Sequence, residues 1–259
     1  MVEDEGQMGE RIERRTGEGD IGRQECQKDM EQKTAQREKK RRNFQREMGQ
    51  RNHQKEMERV IQGHQRRGEV PRLLLHSCCA PCSSYVLEYL SRYFWITVLY
   101  YNPNIYPPEE ILKRADEQER LIATMPVEHT VAYLEGSYEP ELFFAAVKGH
   151  EEDREGGERC ALCYRLRLEE AARQAKAGGF DYFTTTLSIS PLKNAGKLNE
   201  IGEELAAQYG VAYLSSDFKK KDGYKRSTEL SREYGLYRQD YCGCVFSKRE
   251  RDRQREGCP

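Results

Sequence analysis

Every leucine and every proline of this 259-residue chain lies beyond residue 70. Residues 1–69 also lack Tyr and Trp, and Phe44 is their single phenylalanine. They carry 17 Lys and Arg against 15 Asp and Glu, together with many Gln. Such a stretch cannot bury enough apolar surface to offset the entropy of ordering it. Residues 1–69 are therefore expected to form a charged tail, disordered or a fraying solvated helix. A chain beginning near residue 69 is expected to remain soluble and active. The folded unit is expected over residues 70–250, a normal single-domain size, with residues 251–259 a second charged tail.

The net charge is −1, so overall charge points to no class of partner. No run of 18 apolar residues is present, which predicts no membrane-spanning helix and no membrane partner. The N-terminus lacks the apolar core of a signal peptide, and its acidic residues do not suit a transit peptide. These features predict a cytoplasmic protein in a reducing compartment. There, metal or catalytic use of cysteine outranks static disulfides.

Beyond residue 70 the pattern alternates between strand and helix. Arg72 to His76 is a short apolar run bounded by Pro71 and reads as a buried strand of a parallel sheet. Ser77 to Cys82 forms the turn at its carboxyl end, Pro81 redirects the chain, and Ser83 or Ser84 caps a helix through Leu90. Trp95 to Tyr101 is a second strand, rich in β-branched and aromatic residues. Asn102 to Pro108 is a loop, because its three prolines exclude a helix interior. Glu109 to Thr124 is an amphipathic helix with Ile111, Leu112, Ala115, Leu121 and Ile122 on its apolar face. Val127 to Tyr133 is a strand, Glu158 to Ala177 a helix closed by Gly178-Gly179, and Phe180 to Leu187 a strand. Asn194 to Tyr209 is a helix, and Val211 to Leu214 a final strand. The alternation predicts a doubly wound, mostly parallel α/β sheet. Ligands in that architecture sit at the carboxyl ends of strands, where Cys78, Cys79 and Asp217 fall.

Seven of the nine cysteines form three tight clusters, Cys78-Cys79-Ala-Pro-Cys82, Cys160-Ala-Leu-Cys163 and Cys242-Gly-Cys244. Thiols packed so densely suit an iron–sulfur cluster, a zinc site or an exchangeable disulfide. Cys160 and Cys163, three apart on a helix, face one way. They lie near its N-terminus, which favours the thiolate. Cys78 and Cys79 reach one centre only from an irregular turn, since neighbours on a strand point to opposite faces. These four match the ligand count of a [4Fe–4S] cluster or of zinc, and thiolate count alone leaves both open. Cys82 is a fifth candidate. Cys242 and Cys244 suit either a strained, easily reduced disulfide or a metal shell, with Tyr241 and Phe246 as flanking shields. Cys26 and Cys258 are expected to be bystanders.

Lys219, Lys220, Lys221, Lys225 and Arg226 lie within eight residues, with aromatics between them. They suit phosphate contacts on a nucleic acid, although a solvated loop is the commoner fate of such a run. His76, inside an apolar strand, reads as a satisfied core histidine.

His76 to Cys82, Tyr101 to Tyr106, Glu158 to Arg165, Thr184 to Pro191, Asp217 to Tyr224 and Tyr234 to Cys244 together resemble the QueH family of epoxyqueuosine reductases. The resemblance spans about residues 71–250. It implies reduction of epoxyqueuosine in tRNA to queuosine, without cobalamin. It implies a [4Fe–4S] cluster on Cys78, Cys79, Cys160 and Cys163, and a redox-active pair in Cys242 and Cys244. The fold implied is similar to the nucleotide-binding (HUP-like) domains of tRNA-modifying ATP pyrophosphatases. The phosphate loop of those enzymes is replaced by His76 to Cys82, so no ATP chemistry is expected.

Removing an epoxide oxygen consumes two electrons and two protons, whereas a cluster passes electrons singly. The Cys242/Cys244 pair would resolve the mismatch, with an external electron donor. Asp217 is the expected proton donor; alternatively it binds a second metal ion with a cysteine. A tRNA-thiolating enzyme on the same scaffold and a zinc-stabilised RNA-binding module are the competing readings.

Overall fold

The computed structural model describes residues 51–256. Five strands, β1 (Arg72–His76), β2 (Trp95–Tyr100), β3 (Val131–Glu135), β4 (Tyr182–Thr185) and β5 (Ala212–Tyr213), form one sheet in the order β3-β2-β1-β4-β5. Every pairing is parallel, as the alternating pattern predicts. The helices among the described residues are α1 (His53–Arg67), α2 (Ala80–Leu90), α3 (Pro108–Thr124), α4 (Pro140–Ala146), α5 (Glu158–Ala177), α6 (Ala195–Tyr209), α7 (Gly223–Glu233) and α8 (Val245–Glu256). The chain builds outward from β1 to β3, then returns to place β4 on the other side of β1. The reversal leaves a crevice beyond the carboxyl ends of β1 and β4.

Side chains alternate across the sheet. Leu73, Leu75, Ile96 and Val98 pack with residues of α1, α2 and α3. Leu74, Leu99 and Phe183 pack on the other face with Leu168, Ala171 and Ala172 of α5 and Leu198, Ile201 and Leu205 of α6. With both faces covered, β1 has Leu73, Leu74 and Leu75 fully buried. Burying each such side chain contributes about 1.5–3 kcal/mol.

The folded unit begins earlier than composition suggests, at Asn52. Helix α1 lies inside the segment expected to be a tail, yet Met57 and Ile61 are buried in the core. Asn52 caps its start by accepting from the Lys55 N–H at 3.1 Å, and Gly68 closes its end at φ +66°. His64 Nε2 meets the Tyr182 hydroxyl at 2.9 Å. The Phe44 and Cys26 portion of the expected tail lies outside the described residues, as does Cys258. At the other end, residues 251–256 continue α8 rather than forming a free tail.

Other boundaries differ for local reasons. Helix α2 begins at Ala80, with Pro81 in its first turn, where a missing N–H costs nothing. Pro81 thus starts the helix instead of redirecting the chain, and Cys82 sits on its first turn. On α3, Leu112 is 62% exposed, while Arg114 and Gln118 turn inward with Ile111, Ala115 and Leu121. The strand expected through Leu187 stops at Thr185 and tightens into a 3-10 turn, Thr186–Ile189. No helix among the described residues is long and apolar enough to cross a membrane.

Candidate active site

The turn after β1 is held from three sides. The Ser77 N–H donates to the Leu99 carbonyl at 3.0 Å, and the Asn102 amide donates to the Ser77 carbonyl at 2.9 Å. Ser77 Oγ and Ser83 Oγ both donate to Gln118 Oε1 at 2.8 Å, which accounts for the buried glutamine on α3. His76 is a core histidine, as expected. Its Nε2 lies 3.1 Å from the Tyr101 carbonyl and its Nδ1 2.9 Å from Thr185 Oγ1. These partners require an Nε2–H imidazole that accepts at Nδ1. Burial pushes its pKa down to about 4.

This turn brings three sulfurs together. Cys78 Sγ and Cys79 Sγ are 3.8 Å apart, and the Cys78, Cys79 and Cys82 sulfurs all lie within 4.8 Å of one another. Cys79 caps α2 in an extended conformation, so the adjacent cysteines converge from an irregular turn as required. Hydrogen bonds from Cys79 and Cys82 stabilise a thiolate on Cys78, lowering its pKa well below the ordinary value. The same bonding, with burial, pushes Cys79 up to about 12 and raises Cys82. The Gln239 amide donates to Cys79 Sγ at 3.0 Å.

Cys160 and Cys163 lie in the first turns of α5. The Gly156 N–H donates to Cys160 Sγ at 3.2 Å. The helix N-terminus does not dominate here: burial raises the Cys160 pKa and lifts Cys163 to about 12. Cys160 packs against the apolar cluster containing Cys78 and Cys79. Cys163 shares a second cluster with Cys244, Phe143, Val147 and the half-buried Phe246. The Cys242-Gly-Cys244 segment is tied to the loop after β2. The Tyr106 N–H donates to the Gly243 carbonyl at 2.8 Å, and Tyr241 Oη donates to the Tyr106 carbonyl at 2.7 Å.

Cys78, Cys82 and Cys242 line a cavity of about 360 Å³ in the crevice. Its other walls include Glu155, Ser190, Lys193, Tyr224, Arg238, Asp240 and Tyr241. Burial opposes the charge on Lys193, but the Cys242, Cys78 and Cys82 sulfurs outweigh it and raise its pKa. Arg167 is 2% exposed and is likewise held charged, against burial, by Cys163, Cys242 and Cys78. Both Arg114 terminal nitrogens and Arg167 Nη2 are buried without hydrogen-bond partners. Buried guanidinium nitrogens left without partners near a set of thiols fit an anionic, thiolate-ligated metal centre. The Cys78–Cys79 separation also matches the edge of a tetrahedral zinc–thiolate site, about 3.8 Å for Zn–S bonds near 2.3 Å.

Several expected site residues are not among those lining the cavity. Asp217 does not line the cavity; it pairs with Lys219 at 3.0 Å. Lys219 Nζ also reaches the Ser188 and Lys193 carbonyls at 3.5 Å. Lys221 pairs with Glu58, and Arg226, on α7, with Glu88 at 2.6 Å. Lys220 and Lys225 are exposed. Lys193, Arg114 and Arg167 went unread in the sequence. Lys193 follows the Thr184–Pro191 motif by two residues, and each arginine sits mid-helix, where charge ordinarily signals a solvated face.

A sheet-end cavity lined by Cys78, Cys82, Cys242 and the buried Lys193 defines an α/β protein whose cysteine cluster fits metal binding. The family model described as "Epoxyqueuosine reductase QueH" matches residues 73–250. Epoxyqueuosine reductase QueH of Staphylococcus epidermidis is 46% identical over 193 residues, covering 73% of this chain and 81% of the relative. The enzyme of that name from Streptococcus pyogenes is 45% identical over 179 residues, 68% of this chain and 70% of the relative. That from Thermotoga maritima is 37% identical over 183 residues, 69% and 91% respectively. The chain belongs to the QueH family of oxidoreductases.

Proposed function

We propose that the protein reduces epoxyqueuosine in tRNA to queuosine, the last step in forming that nucleoside. The observation that carries this reading is the convergence of Cys78, Cys82, Cys242 and Lys193 on one cavity, in a chain of this family. The reaction consumes two electrons and two protons, breaks both bonds to the epoxide oxygen, leaves an alkene and releases water.

Cys78, Cys79, Cys160 and Cys163 are the residues we assign to hold a [4Fe–4S] cluster. Support comes from Arg167, whose cation acts on Cys163 and Cys78 together, and from the packing of Cys160 against the apolar cluster that contains Cys78 and Cys79. A thiolate-bound cluster supplies single electrons at low potential. Cys242 and Cys244 complete the count, because oxidation of the pair to a disulfide yields two electrons and two protons. An external one-electron carrier restores the dithiol. Lys193 offers a proton and positive charge to the departing oxygen. Its burial beside Cys242 favours it for this role over Asp217, which lies outside the cavity lining.

The tRNA contacts are assigned to exposed Lys220 and Lys225, with Arg238 and Tyr224 at the cavity. Lys219, Lys221 and Arg226 are engaged in ion pairs and serve the fold first. A tRNA substrate implies the cytoplasm.

The compact sulfur triad favours one second reading, a single zinc ion on Cys78, Cys79 and Cys82. Anaerobic purification with iron, sulfide and zinc analysis separates the two. About four iron and four sulfide per chain supports the cluster. One zinc and no iron, persisting after anaerobic reconstitution, removes the redox mechanism.

A further inference from the structure

The cavity contains two carboxylates, and their situations differ. Asp240 is clamped by Arg251 at 2.5 and 2.6 Å and is also bonded by Arg255. Among the described residues, no cation pairs with Glu155. The charge on Lys193 acts with the Cys242, Cys78 and Cys82 sulfurs, and Arg238 donates to Ser231 Oγ at 3.0 Å while lying 5.9 Å from the Tyr224 ring centroid. Negative charge at Glu155 is therefore left for something that enters the cavity.

The position of Glu155 is set by the loop that leads into α5. Gly156 follows at φ +88°, a conformation that favours glycine, and its N–H holds Cys160 Sγ. The Glu155 charge acts on both Cys160 and Cys242. Glu155, Cys242 and Lys193 all line the cavity, and the charges of Glu155 and Lys193 both act on the Cys242 thiol.

Epoxyqueuosine carries its epoxide on a cyclopentane ring joined to the base through a secondary amine. That amine is a cation at neutral pH, and the epoxide begins on the carbon next to the one bearing nitrogen. A cavity of about 360 Å³ suits one extruded base with its substituent.

We infer that Glu155 binds the secondary ammonium of the modified base and thereby sets the epoxide beside Cys242. The inference rests on the reductase reading proposed above. Glu155 is a specificity-determining residue that discriminates a cationic 7-substituent from an unmodified guanine. It takes no part in electron transfer.

The test uses the metal-loaded protein and two versions of one tRNA. One carries 7-aminomethyl-7-deazaguanosine at the modified position, and the other carries guanosine. Wild type is expected to bind the first about tenfold more tightly, the scale of one hydrogen-bonded charge. Glu155→Gln is expected to abolish that preference while leaving guanosine-tRNA affinity and metal content unchanged. With epoxyqueuosine-tRNA the same variant should lower kcat/KM about tenfold, through lost binding and lost placement of the epoxide together. Glu155→Asp should restore part of the preference. A preference that survives in Glu155→Gln, or wild-type turnover without any preference, would overturn the inference. A preference that depends on Glu155 in a wild-type protein unable to reduce epoxyqueuosine would sink the reductase reading and leave the cation site standing.

Discussion

Gly243 lies directly over Arg114: a Cβ on this glycine would come within 3.1 Å of a terminal guanidinium nitrogen. Its φ of +128° is also a conformation that side chains resist. The glycine between Cys242 and Cys244 is therefore required twice, for backbone shape and for close approach to a buried cation. Arg114 is itself fixed by Glu110 at 2.7 Å on the preceding turn. Gly243→Ala is expected to cost about 1–3 kcal/mol in stability. Its turnover should fall by more than the stability loss explains, while metal content is retained. Denaturant titration beside single-turnover assays checks both; wild-type turnover would show that the segment tolerates a side chain.

Helix α1 is part of the core. Met57 is fully buried and Ile61 is 4% exposed. Met57→Ala should therefore destabilise the protein by about 2–5 kcal/mol. A chain truncated to begin at residue 69 should lose both contacts and unfold at lower urea. An unchanged urea midpoint for either would return α1 to the status of a dispensable extension.

The competing ligand sets share Cys78 and Cys79, so the other thiols discriminate them. Cys160→Ser should remove bound iron and turnover together. Cys82→Ser should retain iron if Cys160 and Cys163 complete the shell. Iron content and visible absorbance after anaerobic reconstitution read both variants. Iron kept by Cys160→Ser and lost by Cys82→Ser would reverse the assignment.

The cations near α7 divide by their partners. Neutralising Lys220 and Lys225 together should reduce the salt slope of tRNA binding by about two, one per lost phosphate contact. Lys221→Gln frees Glu58 on α1, so it should act mainly on stability. Equal effects of the two changes on the salt slope would show that the Lys221–Glu58 pair opens when tRNA binds.

The sheet was legible in the sequence because β1 and β2 are short apolar runs buried on both faces. Helices α5 and α6 were legible because glycines end them at Gly178 and Gly210. Helix α1 was hidden by averaging. Met57, Val60 and Ile61 form a narrow apolar stripe that a charged 69-residue window dilutes. Helix α7 was hidden because Leu230 is the one large aliphatic residue on its buried face, beside Ser227 and Ser231. The cysteines announced the site through spacing, whereas Lys193, Arg114 and Arg167 gave no such signal. Charged residues are read as solvated by default, and these three are buried, their charge favoured by the neighbouring sulfurs and, for Arg114, by Glu110. Leu112 failed in the opposite sense, since Arg114 and Gln118 occupy the inward face of α3 that periodicity assigned to leucine.

The central claim is tested most directly by mass spectrometry of nucleosides from epoxyqueuosine-tRNA, incubated anaerobically with the metal-loaded protein and a low-potential reductant. Loss of one oxygen to give queuosine with wild type, and its absence with Cys242→Ser at unchanged metal content, is the predicted result. Unchanged epoxyqueuosine with fully loaded wild-type protein, or full conversion by Cys242→Ser, would contradict it.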